Sequence, residues 1–226
     1  MKKLIKRLVR NIKRLLDKII GTTVDELYWR FRSEAWAEKY LSPQSIAHPH
    51  RQFLIGRISR YSPFESILEV GCASGPNLYL LAKQFPDIKL YGTDINKRAI
   101  KLGRRWFAAK GINCTFSVHK AEDLRSFHDK SIDILFTDAV LVCIGPDKIE
   151  YVLKEFIRVT KKMLILNEWH SESPVSIYND HWIHNYKNLL KKFMSEDKIK
   201  FTKIPENIWA GDWAKYGYII EVNLEK

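Results

Sequence analysis

Residues 1–20 carry Leu4, Ile5, Leu8, Val9, Ile12, Leu15, Leu16, Ile19 and Ile20 at three- and four-residue intervals, which predicts an amphipathic helix with one aliphatic face. Thr22 or Thr23 reads as the N-cap of a second helix through about Tyr40, with Leu27, Phe31 and Ala35 four residues apart and Glu26 as capping-box partner of Thr23. Pro43 closes that helix. A third is expected over 48–59, ending near the Ser62-Pro63 turn. From Ser66 the period changes. Apolar runs at 67–70, 88–93, 114–118, 132–136 and 163–166 read as strands, alternating with amphipathic helices near 76–85, 96–109 and 146–160. That alternation implies βαβ units and a parallel sheet covered on both faces. The last two runs, 198–204 and 215–222, read as strands with no helix between them, an antiparallel hairpin that finishes the sheet. The expected fold is α/β: a doubly wound, seven-stranded, mostly parallel sheet preceded by N-terminal helices. Its parts are a basic helix at 1–20, a helical extension at 21–60 and a main domain at 61–226.

Composition narrows the class. A chain of 226 residues, 46% hydrophobic, suffices for one well-buried domain with an appendage. Three cysteines, Cys72, Cys114 and Cys143, form no CxxC pair, so neither a disulfide framework nor a zinc ribbon is available, and a reducing cytoplasmic setting is expected. The longest apolar stretch, Ile132 to Ile144, is broken by Asp133 and Asp138, so no membrane-crossing helix is expected.

Charge changes the picture at one end. The chain is formally +12, yet residues 1–20 hold eight Lys/Arg against Asp17, a local +7. Such a helix suits the headgroup plane of an anionic membrane, giving a peripheral attachment, and it equally suits packing on its own domain or on a twin subunit. Nucleic acid is disfavoured, because an all-aliphatic opposite face offers no stacking aromatics. No continuous apolar run precedes Gly21, against a secretory signal, and the first serine is Ser33, against a mitochondrial presequence.

The segment Ser66-Ile-Leu-Glu-Val-Gly-Cys-Ala-Ser-Gly-Pro-Asn77 is a strand entering a small-residue turn and then a helix, where open α/β sheets place ligands. A dinucleotide fingerprint would want glycine where Ala73 and Pro76 stand, and no GK[ST] follows Gly75, so NAD and a P-loop are both disfavoured. At these residues the sequence resembles the class I S-adenosylmethionine-dependent methyltransferases, whose first motif is matched by Glu69, Gly71, Ala73 and Gly75. Cys72 is a small side chain within that turn, and Asn77 closes it. Lys89-Leu-Tyr-Gly-Thr-Asp94 ends in an acid, followed by Ile95, as the family's second motif does. Ala121-Glu122-Asp123-Leu124 stands where the family places an acid beside the adenine, and Ile132-Asp-Ile-Leu-Phe-Thr-Asp138 ends in an acid at the methionine end.

The resemblance, covering about residues 50–223, implies a Rossmann-like fold, S-adenosylmethionine as cofactor and methyl transfer as activity. The expected cofactor residues are Glu69, Gly71, Cys72, Ala73, Gly75, Asn77, Asp94, Ile95, Glu122, Asp123 and Asp138. The acceptor is expected to be a small molecule, a glycan or a lipid-linked precursor. An RNA or protein methyltransferase, or a non-catalytic cofactor-binding module, is the alternative; Thr137-Asp-Ala-Val140 lacks the Asn/Asp-Pro-Pro-aromatic signature that marks amino methylation of nucleic acid. Glu168 and His170, at the end of the fifth strand, are the candidate bases should the acceptor be a hydroxyl. No metal is expected: His181 and His184, one helical turn apart, are read as surface histidines flanking Trp182.

Overall fold

The computed structural model describes residues 23–225. The expected helix at 1–20 lies outside the described residues. Four helices lead into the sheet: α1 (Thr23–Arg30), α2 (Glu34–Tyr40), α3 (Pro43–Ile46) and α4 (Pro49–Ser59). The single helix expected through Tyr40 is therefore two. Ser33 breaks it by turning extended and capping the Trp36 N–H, a choice short hydroxyl side chains favour over the helix interior. Pro43 opens α3 rather than only ending what precedes it, because its missing N–H costs nothing at a first turn. Glu26 is not engaged as a cap partner; its carboxylate meets Arg30, Lys120 and Lys148.

Then follow β1 (Ser66–Val70), α5 (Pro76–Gln84), β2 (Lys89–Asp94), α6 (Lys97–Ala108), β3 (Thr115–Val118), β4 (Ile132–Asp138), α7 (Ile149–Val159) and β5 (Thr160–Trp169). The chain ends with β6 (Ser176–Tyr178), β7 (His181–Ile183), α8 (Tyr186–Leu190), β8 (Ile199–Lys203), α9 (Asp212–Tyr216) and β9 (Gly217–Asn223). The main sheet has the order β3-β2-β1-β4-β5-β9-β8, with every strand running the same way except β9, which is antiparallel to both its neighbours, β5 and β8. Seven strands, doubly wound, with a terminal antiparallel pair, is the expected architecture. The pair differs from a plain hairpin in that α9 sits in its connection.

Strands β1 and β4 are buried on both faces, which is why their apolar residues do not alternate with exposed polar ones. Alternate residues feed two cores. Ile67, Ile134 and Ile165 pack with Leu54, Leu78 and Phe107 on one face; Leu68, Leu135 and Leu164 pack with Val152 and Phe156 on the other. The chain winds outward from β1 through β2 to β3, then crosses back to β4 on the other side of β1. This reversal opens a crevice at the carboxyl ends of β1 and β4.

The N-terminal helices are fastened over that crevice. Asn96, N-cap of α6, donates its amide to the carbonyls of Trp29 and Arg32 at 2.9 and 3.1 Å, and Ser74 Oγ donates to the Ala37 carbonyl at 2.8 Å. The helical extension thus rests on the turns that follow β1 and β2.

Candidate functional site

The crevice is a cavity of about 260 Å³. Its floor is Val70, Gly71, Ala73, Asp94, Ile95 and Asp138; its roof is Glu26, Trp29, Trp36 and Tyr40 from α1 and α2. His50, Arg51 and Trp209 close one end and Lys120, Ala121 and Glu122 the other.

The turn after β1 has the shape its small residues allow. Gly71 lies at φ +74, and a Cβ on it would stand 2.2 Å from Val140 Cγ2. Ala73 takes φ +47, a left-handed conformation seldom adopted by non-glycine residues, and its N–H donates to Asp94 Oδ2 at 2.8 Å. The other oxygen, Oδ1, accepts the Asn96 N–H at 2.7 Å. Burial pushes the Asp94 carboxyl up to about 6 despite the backbone N–H groups of Asn96 and Ala73, which pull it down.

Beneath the floor, polar side chains converge from five elements. Asn77, in the first turn of α5, donates to Glu69 Oε1 at 2.7 Å and to Asp138 Oδ2 at 3.0 Å. Arg51 Nη1 donates to Asn77 Oδ1 at 2.8 Å and to Asp138 Oδ2 at 3.2 Å. Asn167 donates to Asp138 Oδ1 at 2.8 Å, and His50 Nε2 lies 3.2 Å from Oδ2. Burial alone would raise the Asp138 carboxyl, but His50, Arg51 and Asn77 outweigh it and hold it well below the usual carboxylate range. Glu69 has no cation in contact; burial pushes it up to about 8, and its Oε2 has no hydrogen-bond partner.

Of the expected cofactor residues, Gly71, Ala73, Asp94, Ile95, Glu122 and Asp138 line the cavity. Glu69 and Asn77 lie just under it, hydrogen-bonded to each other and, through Asn77, to Asp138. Cys72 is buried beneath the turn, and Gly75, at φ +91, caps α5 with its Cα against Phe107 and Phe116. Asp123 faces outward, with Arg125 against both carboxylate oxygens at 2.7 and 2.9 Å.

Glu168 and His170, the candidate bases, do not line the cavity. Glu168 is wholly buried behind the loop after β4, where Oε1 accepts the Val140 N–H at 3.0 Å and Oε2 the Val142 N–H at 3.1 Å. Burial pushes it up to about 7, against those N–H groups and that of Leu141. It holds the loop that carries Val140 into the cavity. His170 Nδ1 accepts the Tyr186 N–H at 3.2 Å, and the ring packs on Phe201 and Tyr218. The strand continues past the sheet edge and turns both side chains into the core, away from the crevice. His181 and His184 do not lie on a helix: β7 ends between them, at Ile183. Nor is His184 a surface residue; it is buried, its Nε2 is 2.8 Å from the Ile144 carbonyl, and burial lowers it to about 4. Among the described residues no group of three or more His, Cys, Asp or Glu is placed to hold a metal ion.

The sequence reading missed His50, Arg51, Trp29, Trp36, Tyr40 and Trp209. The one available signal was His48-Pro-His-Arg51, an uncommon concentration of imidazole and guanidinium at a helix start. His48 caps α4, with its Nδ1 accepting the His50 N–H at 3.3 Å, while the His50 ring stacks on Trp209 with centroids 3.9 Å apart.

Residues 67–163 match the family model described as a methyltransferase domain. A curated protein of Haemophilus influenzae, described as uncharacterized, is 24% identical over 159 residues; the match covers 70% of this chain and 60% of that protein, so this chain spans about three fifths of its relative's length. Among solved structures, an Aquifex aeolicus SAM-dependent methyltransferase superposes with a TM-score of 0.62 at 15% identity, over 85% of this chain and 99% of that one. The magnesium protoporphyrin IX methyltransferase of Synechocystis with bound SAM gives a TM-score of 0.55 at 15% identity, over 77% and 79%. Residues 67–163 thus match a methyltransferase domain, and the sheet around them has the Rossmann-like fold of the solved S-adenosylmethionine-dependent methyltransferases.

Proposed function

We propose that this chain transfers the methyl group of S-adenosylmethionine to a small-molecule acceptor, which a membrane could present in lipid-linked form. The observation that carries the reading is that one cavity holds both ends such a reaction needs. At one end a buried carboxylate, Asp94, faces a slot walled by Ile95 and Ala121, suited to accepting hydrogen bonds from a ribose diol beside a flat base. At the other, Asp138 is held ionised by His50, Arg51, Asn77 and Asn167. The absence of a Cβ at Gly71 lets the Val140 side chain close directly onto the turn and wall the cavity there. These features fit the cofactor, which supplies an activated sulfonium methyl. The chain's own part is to align an acceptor and exclude water, and Trp29, Trp36, Tyr40 and Trp209 serve both ends by roofing and closing the space.

Solved neighbours of this fold include a geranyl diphosphate C-methyltransferase of Streptomyces coelicolor, with a TM-score of 0.60 at 11% identity, and the protoporphyrin enzyme above, both acting on small molecules. The cavity's apolar walls and its enclosed roof favour the same class over an exposed polymer chain. Residues 1–20, with their +7 charge, are proposed to bring the protein to an anionic membrane face. Two measurements test the reading. Calorimetry should register binding of S-adenosylmethionine and S-adenosylhomocysteine and none of NAD. Incubation with methyl-labelled cofactor and fractionated cell extract should place label in a small molecule or lipid; label confined to RNA or protein overturns the acceptor class.

A further inference from the structure

Helix α1 presents two different faces. Glu26 and Trp29 point into the cavity. On the opposite side Leu27, Tyr28 and Phe31 are 50, 51 and 66% exposed, three large apolar side chains with Phe31 three and four residues after the other two. The Phe31 N–H still bonds the Leu27 carbonyl at 3.2 Å, so the last of them continues the same helical turn. Cations flank them. Arg32 lies 4.9 Å from the Tyr28 ring centroid and donates to its hydroxyl at 2.8 Å, and Arg98, at the start of α6, donates to the Phe31 carbonyl at 3.4 Å. Along α6 the exposed side continues with Lys97, Lys101 and Arg105, of which Arg105 is paired, with Glu34.

We propose that this outer face of α1 is a seat for an anionic lipid surface, so that the roof of the cavity is itself the membrane-facing element. Charge decides between the occupants. A second copy of this chain brings a formal +12 against a face already cationic, and the chain's own residues 1–20 bring +7. An anionic headgroup layer instead neutralises Arg32 and Arg98 while its acyl boundary takes Leu27 and Phe31, with the Tyr28 hydroxyl left at headgroup depth. The basic aliphatic sequence that leads directly into α1 suits the same surroundings. A lipid-borne acceptor would then meet the protein at the helix whose inner face roofs the cavity. This depends on the proposed function only for what the cavity binds.

The test uses the full chain with vesicles of phosphatidylglycerol and phosphatidylcholine, and pure phosphatidylcholine as reference. The parent should partition onto the anionic vesicles and hardly onto the neutral ones. The combined Leu27→Ser and Phe31→Ser variant should partition about tenfold more weakly. Arg98→Glu, which leaves the apolar side chains in place, should reduce the preference for anionic lipid. Thermal midpoint and S-adenosylhomocysteine affinity, unchanged in both variants, establish that folding and the cavity are intact. Parent-like partitioning of the double variant overturns the proposal, and so does a change from dimer to monomer in sedimentation with vesicle binding unaltered. A parent that binds vesicles as expected but no S-adenosylhomocysteine would sink the cofactor reading and leave the lipid seat standing.

Discussion

Arg51, carried by a helix outside the sheet, places its guanidinium Nη1 3.2 Å from Asp138 Oδ2 at the carboxyl end of β4. Both side chains are nearly inaccessible, so this ion pair joins the N-terminal extension to the centre of the fold. Removing one partner strands the other in a medium that solvates it poorly.

Arg51→Met should therefore cost about 3–5 kcal/mol of stability by urea denaturation. The acid limb should move as well. A carboxylate held low contributes stability that is present above its unfolded value and lost as pH falls through the folded one. With Arg51 gone Asp138 is held less low, so the variant should lose less additional stability on acidification than the parent does. A parent-like urea midpoint would show that His50, Asn77 and Asn167 suffice.

Asp94→Ala should weaken S-adenosylhomocysteine binding at least about tenfold, since each charge-assisted hydrogen bond to a diol is worth about 1.5–3 kcal/mol. Because burial sets the free carboxyl near 6, affinity in the parent should also fall as pH is lowered through about 6, and calorimetry across that range should find the variant flat.

Gly71→Ala meets two penalties. The φ of +74 costs a residue with a Cβ about 1–2 kcal/mol, and the Cβ itself collides with Val140. Cofactor affinity should drop, and the Gly71→Ala, Val140→Ala double variant should recover part of it by removing the collision and not the backbone strain. Equal affinities for single and double variants would mean that strain alone matters.

Glu69, pushed up to about 8, should make the free protein less stable with rising pH. Below its unfolded value near 4.5 both states are protonated. Between there and 8 the unfolded chain has released its proton while the folded one retains it, so stability declines, at up to about 1.4 kcal/mol per pH unit, and then levels. Glu69→Gln should flatten this decline in a series of thermal midpoints.

Glu168 and His170 should separate in their effects. Glu168→Ala leaves the Val140 and Val142 N–H groups without an acceptor, about 1–3 kcal/mol each, and lets the cavity wall drift, so both stability and cofactor affinity should fall. His170→Ala should lower the thermal midpoint with cofactor affinity unchanged. A pH-dependent loss of turnover specific to His170→Ala would restore it as a base.

Two patterns made the sheet legible in the chain. Double-sided burial leaves β1 and β4 rich in apolar residues with no exposed polar face, and α6 and α7 show a helical period because only one face of each meets the sheet. Strand ends were less legible: β5 runs from Thr160 to Trp169, beyond the expected 163–166, because pairing continues past the apolar run, with β4 at Thr160 and with β9 as far as Trp169. The short β6 and β7 went unseen; three-residue strands carry too little periodicity to detect.

The local order of residues was enough to read the β1 turn and the acids at the ends of β2 and β4. These depend on residues adjacent in sequence, where a small side chain or an acid at a strand end acts through its own backbone. Tertiary structure alone decided which acids share a cavity and which are spent elsewhere. Asp138 gains its environment from Arg51, 87 positions earlier, and Glu168 spends both oxygens on N–H groups about 26–28 positions earlier. Nothing in the local sequence separates a carboxylate that faces a ligand from one that caps a buried loop, because the difference lies in which backbone donors folding brings within about 3 Å.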